Sequence, residues 1–166
     1  MPLIGFGTFQ SETNAPPGTY QAAVLEALRI GIRHLDTAWC YGTEEEVGEA
    51  IRESGIPREE LFVVTNLYQT FHRPEDVAKA FESSLKSLGL DYIDLHLMHF
   101  PYAYIPRDDF SVARGSSGKP TIDCEFTRDY ISTWQAMENL VDTKKARAID
   151  VSNFSVLKTK LLLAHS

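Results

Sequence analysis

The chain has 166 residues, 43% of them apolar, and sets 16 Lys and Arg against 23 Asp and Glu for a net charge of −7. That length suits one domain over residues 1–166, the apolar share suits a packed core, and the acidic balance argues against nucleic acid as a partner. Two cysteines, Cys40 and Cys124, make no disulfide framework, no apolar run reaches the ~18 residues of a membrane helix, and the start Met1-Pro2-Leu3-Ile4-Gly5 lacks the basic opening of a secretory leader, so a reduced, cytoplasmic, membrane-free setting is expected.

In chain order, Leu3-Ile4-Gly5-Phe6-Gly7-Thr8-Phe9 reads as a short buried strand. Its G-x-G is not a dinucleotide fingerprint, because Gln10 stands where the third glycine belongs. A loop over 11–18 leads to a helix whose inner face is Tyr20, Ala23, Val24, Ala27 and Leu28, closed by Gly31. His34-Leu35-Asp36-Thr37-Ala38 is the next strand. Trp39 to Gly42 turns, and Thr43-Glu44-Glu45-Glu46 has capping-box spacing for a helix burying Val47, Ala50 and Ile51. Leu61-Phe62-Val63-Val64-Thr65 has the continuous apolar character of a parallel strand covered on both faces. A helix from Pro74 follows, with Val77, Ala80, Phe81, Leu85 and Leu88 inward and Gly89 as its cap.

Residues 92–98 form the fourth strand, ended by His99-Phe100-Pro101. Residues 100–128 show no clear period, and a stretch of that length is usually functional or disordered. A helix with Ile131, Trp134, Met137, Leu140 and Val141 inward, a strand over 146–152 and a helix over 155–164 complete the chain. Five strand–helix repeats argue for a parallel sheet; the pattern leaves doubly wound and barrel folds both open.

The stretch from Gly31 to Gly48 resembles the first signature of the aldo-keto reductase family, G-[FY]-R-H-x-D-[ST]-A-x5-E-x2-[VLIM]-G, with Ile32 as its one mismatch. Later segments look similar in family order, among them Phe71-His72-Arg73-Pro74, Leu90 to Leu95, His99-Phe100-Pro101, Trp134 to Glu138 and Val151-Ser152-Asn153-Phe154. The resemblance implies a (β/α)8 TIM-barrel fold, incomplete, with about five βα units. It also implies NADP(H) as cofactor and an aldehyde, ketone or alcohol as small-molecule substrate. Asp36, Tyr41 and His99 match the catalytic Asp, the proton-donating Tyr and the His that hydrogen-bonds the carbonyl. Thr8, Ser152 and Asn153 match nicotinamide-side contacts, together with Asp36, and Phe9, Tyr68 and Phe100 match substrate-pocket aromatics.

Three departures follow. Asn66 stands at the family's catalytic Lys, so Tyr41 and Asp36 lack their cation and impaired turnover is expected. Asp150 replaces a glycine and, sharing a face with Ser152, is expected to point into the barrel. The part of the family fold that stacks on the nicotinamide and takes the 2′-phosphate lies beyond the fifth unit, so a non-catalytic binding or assembly module is the alternative, with self-association through exposed barrel edges. His34-x-Asp36 and His96-x-x-His99 could suggest a metal hydrolase, but residues three apart on a strand face opposite sides, so no metal site is expected.

Overall fold

The computed structural model describes residues 1–9 and 15–165. Five strands form one parallel sheet: β1 (Phe6–Gly7), β2 (His34–Asp36), β3 (Phe62–Leu67), β4 (Leu95–Met98) and β7 (Ile149–Val151). Their spatial order follows the chain without a reversal, β1-β2-β3-β4-β7. Doubly wound sheets reverse direction at a switch point, whereas a barrel adds each strand beside the last. The fold is therefore the arc of a (β/α)8 barrel with five of its strands. Helices α1 (Thr19–Arg29), α2 (Glu44–Ser54), α3 (Pro74–Leu88) and α5 (Tyr130–Asp142) pack side by side in the same sequence. The last helix, α6 (Val156–Leu163), buries Leu162.

The register lines up the strand ends that carry the site. Gly7 lies opposite Asp36, Asp36 opposite Val64, Asn66 opposite Leu97 and Leu97 opposite Asp150. Backbone bonds continue past the strands, with His99 N–H donating to Leu67 O at 3.2 Å and Ser152 N–H to Met98 O at 2.9 Å.

The signature residues have physical reasons. Glu44 opens α2 but is 4% exposed, and its carboxylate accepts from the Thr65 hydroxyl at 2.7 Å, fastening helix to sheet. Burial holds its carboxyl above the usual range, against the hydroxyls of Thr65 and Ser84. Gly48 is where α2 meets α3: a Cβ there would stand 2.2 Å from the Leu88 carbonyl oxygen. Backbone cannot yield as a flexible side chain can, so Gly48→Ala is expected to cost about 3 kcal/mol by overpacking. Urea unfolding with an unchanged m-value would check it, and a wild-type midpoint would contradict it.

Several expectations need correction. The capping box does not form: Thr43 Oγ1 lies 3.1 and 3.2 Å from the Thr8 and Thr37 hydroxyls. Glu46 instead accepts from the backbone N–H groups of Gly18, Tyr20 and Gln21 at 3.2, 2.8 and 3.0 Å, capping α1 across the helix pair. The first strand is not buried: only Phe6–Gly7 pairs, and Leu3 and Ile4 are exposed, because β1 has a neighbour on one side alone among the described residues. Ala23 and Val141 also face solvent. Asp150 is exposed, its carboxylate accepting from the Val151 N–H at 2.7 Å, because β7 is likewise an edge. Of the loop expected over 11–18, residues 11–14 lie outside the described residues, and 15–18 form the turn that leads into α1.

Residues 100–128 are ordered. A hairpin of β5 (Ala103–Tyr104) and β6 (Ile122–Asp123) leads into the short α4 (Cys124–Arg128). The hairpin continues outward through bridges between Pro106 and Val112 and between Arg114 and Pro120.

Candidate active site

Each functional side chain sits just past or at the end of a strand. Asp36 closes β2, half-buried. Burial raises its carboxyl above the usual range, opposed by the charge of His34 and the amide of Asn66. The chain then makes a tight turn over Trp39–Tyr41, ended by Gly42 at φ 67, where a glycine is at ease. That turn aims the Tyr41 hydroxyl at His99, with 3.4 Å between Oη and Nε2 and the rings edge to face at 5.7 Å.

His99 lies beyond β4 and is 9% exposed. Burial lowers its pKa, so the neutral imidazole is favoured. Its carbonyl accepts from Asn153 Nδ2 at 2.8 Å, and the same amide reaches Ser152 Oγ at 2.9 Å. Asn153 holds this position with φ at 61, a left-handed conformation that asparagine tolerates better than most residues.

Asn66 is 3% exposed on β3 and donates to the Thr37 carbonyl at 2.8 Å. No ammonium stands at that place, and the Tyr41 hydroxyl is pushed up to about 12, first by burial and then by the negative charge of Asp36 and Cys40. Thr8 is buried. Its N–H donates to Asp36 O at 3.0 Å, and its hydroxyl lies 3.2 Å from the same oxygen, so it braces the first two strands.

Aromatic rings surround the Tyr41–His99 pair. Phe9, largely exposed, tilts against Tyr41 at 5.1 Å, and Phe100 against His99 at 4.9 Å. Trp39 stacks on Tyr68 at 5.9 Å, and Tyr68 meets Tyr104 at 6.4 Å. The structure thus gathers Asp36, Tyr41, Asn66 and His99 with Phe9 and Phe100, while Tyr68 stands in the adjoining wall. Sequence reasoning missed Trp39, Tyr102 and Tyr104 as members of that wall. The alternation Phe100-x-Tyr102-x-Tyr104 was a short period-two signal for them.

Histidine 96 does not join this cluster. It is buried on the helix side, 5.0 Å from the Phe81 ring, whereas His99 turns toward Tyr41. A hollow of about 360 Å³ adjoins the site, lined by Trp39, Cys40, Tyr68, Arg107 and Arg114 among others. A larger hollow of about 650 Å³ lies at the opposite ends of the strands, against Leu25, Arg33 and Ile56, remote from these groups.

The aldo/keto reductase family model matches residues 3–166. Glycerol 2-dehydrogenase (NADP(+)) of Saccharomyces cerevisiae is 47% identical over 169 residues, covering 99% of this chain and 52% of that protein. Aldo-keto reductase family 1 member A1 of Homo sapiens is 46% identical over 160 residues, covering 93% of this chain and 47% of that protein. The solved aldose reductase of Schistosoma japonicum superposes with a TM-score of 0.91 at 39% identity, over all of this chain and 54% of that one. The chain thus spans about half the length of the curated relatives it matches.

Proposed function

The chain belongs to the aldo/keto reductase family, and on that premise we propose that its strand-end site is that of an NADP(H)-dependent oxidoreductase reducing an aldehyde or ketone. The observation that carries the reading is the Tyr41 hydroxyl facing His99 Nε2 at 3.4 Å beside Asp36. A carbonyl oxygen set between these two groups would meet an O–H donor and an imidazole. Phe9, Phe100 and Tyr68 supply aromatic walls around it.

The donor set suits a nicotinamide carboxamide. Ser152 and Asn153 bring a hydroxyl and an amide oxygen to the end of β7, with Asn153 Nδ2 already fixed on His99 O. Ser152 and Asn153 would hold that ring end, with Thr8 and Asp36 bracing the neighbouring strands. When bound, the reduced nicotinamide supplies the hydride. Tyr41 supplies the proton to the carbonyl oxygen, and His99 orients that oxygen. Asp36 bears on Tyr41 through its charge, and among the described residues no cation acts on Tyr41 against it.

That imbalance sets the expected rate. A phenol pushed up to about 12 is a poor proton relay near neutral pH. An ammonium at ~4 Å, in an effective dielectric of ~20, would lower it by about three pKa units before desolvation is deducted. Weak NADPH oxidation with an aldehyde is therefore expected, abolished in Tyr41→Phe and raised by at least about tenfold in Asn66→Lys, the effect of a barrier change of about 1.4 kcal/mol. Turnover that survives Tyr41→Phe would contradict the assignment. The same observation on Asn66 supports the second reading, a non-catalytic binding or assembly module. That reading predicts no turnover in either form, with NADPH still raising the melting temperature if the nicotinamide end binds. The edges of β1 and β7, unpaired among the described residues, are where self-association would occur. A cytoplasmic setting is part of the proposal; among the described residues no helix is long and apolar enough to cross a membrane.

A further inference from the structure

The hollow beside the site carries a charge that the carbonyl chemistry does not use. Arg107 and Arg114 line it together with Trp39, Cys40 and Tyr68. In a chain of net charge −7, two guanidiniums at one hollow run against the overall balance. Among the described residues neither arginine is in an ion pair with a carboxylate. Arg114 gives one N–H to the Gly118 carbonyl at 2.9 Å and keeps its other donors. Asp109, two residues from Arg107, is engaged with the Ser111 N–H at 3.0 Å and feels Arg107 only through space.

The backbone that carries the two arginines is held in place. Arg107 opens a turn in which its N–H donates to Ser111 O and its carbonyl accepts from the Phe110 N–H, both at 2.9 Å. Phe110 takes a left-handed φ of 60 and stacks on Phe71 at 4.3 Å, which pins the turn against the barrel. Arg114 lies one tier nearer the sheet, on the bridge to Pro120, beside Ala113, whose N–H donates to Ile105 O at 3.0 Å. The positive charge of Arg114 is felt at the hydroxyls of Tyr68 and Tyr104. Two residues of its lining adjoin the reacting groups: Cys40 Sγ is 3.9 Å from His99 Nδ1, and Trp39 begins the turn that delivers Tyr41.

We propose that this hollow receives the anionic end of the carbonyl substrate, a carboxylate or phosphate on the same molecule, held by the guanidiniums of Arg107 and Arg114 while the carbonyl lies at Tyr41 and His99. The proposal rests on the carbonyl-reductase reading for the second half of that pose. Guanidinium forks match both oxyanions bidentately, and the stacked Trp39 and Tyr68 offer an apolar flank for the carbon chain between the two ends.

The test is a titration of the ¹⁵N-labelled chain with 4-carboxybenzaldehyde, its methyl ester and 4-formylphenyl phosphate, followed at the indole signal of Trp39. The chain has two tryptophans, so that signal is readable. One of the two acids should bind roughly tenfold tighter than the ester, the worth of a charge-assisted contact, and the preference should shrink with added salt. Which acid binds identifies the oxyanion. In the Arg107→Gln/Arg114→Gln double variant, both substitutions being at exposed positions, the preference should vanish. Equal binding of acid and ester, a preference that survives the double variant, or no binding by any of the three compounds would overturn it. NADPH oxidation measured in parallel separates the two claims: charge-selective binding without turnover keeps this site and removes the reductase reading, and turnover without charge preference does the reverse.

Discussion

Replacing Asp94 with alanine is expected to cost about 3–5 kcal/mol, the loss typical of stripping a buried charge of its partner. Its side chain is 3% exposed. One carboxylate oxygen accepts from Arg58 at 2.7 Å and from the Val63 N–H at 2.9 Å, and the other from Arg147 at 2.9 Å. Both guanidiniums also lie over the Tyr92 ring, at 4.0 and 3.9 Å from its centroid. One carboxylate therefore ties the start of β3, the approach to β4 and the approach to β7 together beneath the sheet. Alanine leaves the mostly buried Arg58 guanidinium and a strand N–H without their acceptor. Asp94→Asn keeps a hydrogen-bonding oxygen and should cost less. Urea unfolding of both variants checks the order, and equal stabilities would show that charge is not what matters at this position.

Acid is the second large effect. Burial lowers the His72 imidazole to about 3, with His99 adding to it, and His96 to about 4 against a backbone contact from Thr65. Both are neutral in the folded chain at pH 7. In the unfolded chain each titrates near ~6.5, so as pH falls below that value the unfolded state takes up protons that the folded state refuses. The stability is present above the unfolded pKa and is lost as pH falls toward the folded values. Two such groups should remove about 4 kcal/mol between about pH 7.5 and about pH 5. Asp36 and Glu44 act in the opposite sense, since a carboxyl that protonates more readily when folded gains stability as pH falls. His96→Leu separates the contributions: whatever it does to stability at neutral pH, it should roughly halve the histidine slope. Parallel slopes for wild type and variant would contradict the assignment.

Much of the fold was legible because helix periods and strand runs are local. Val77, Ala80, Phe81, Leu85 and Leu88 read as a stripe and are buried as one. The signature around Asp36 and Tyr41 locates the strand-end turn, although only the packing explains why Glu44 and Gly48 belong to it: one reaches the Thr65 hydroxyl, the other lets α3 approach. What escaped depends on neighbours distant in sequence. Glu46 has the spacing of a local cap, but the N-terminus of α1 is within its reach and takes it. The pattern at Leu3, Ile4 and Asp150 predicts interior positions, yet alternation tells which residues share a face and not whether that face is covered. Residues 100–128 show no period because the hairpin strands are two residues long and are held by ring contacts with residues distant in sequence, Phe110 stacked on Phe71 and Tyr104 tilted against Tyr68.

Tyr41 is a proton donor on which no cation acts among the described residues. The direct measurement is the ¹³Cζ titration of Tyr41 in the wild-type chain and in Asn66→Lys. With Asn66 in place the phenol should stay protonated to about 12, and in the variant it should ionise about three units lower. A Tyr41 that ionises at or below the ordinary value of ~10 with Asn66 present would contradict the account.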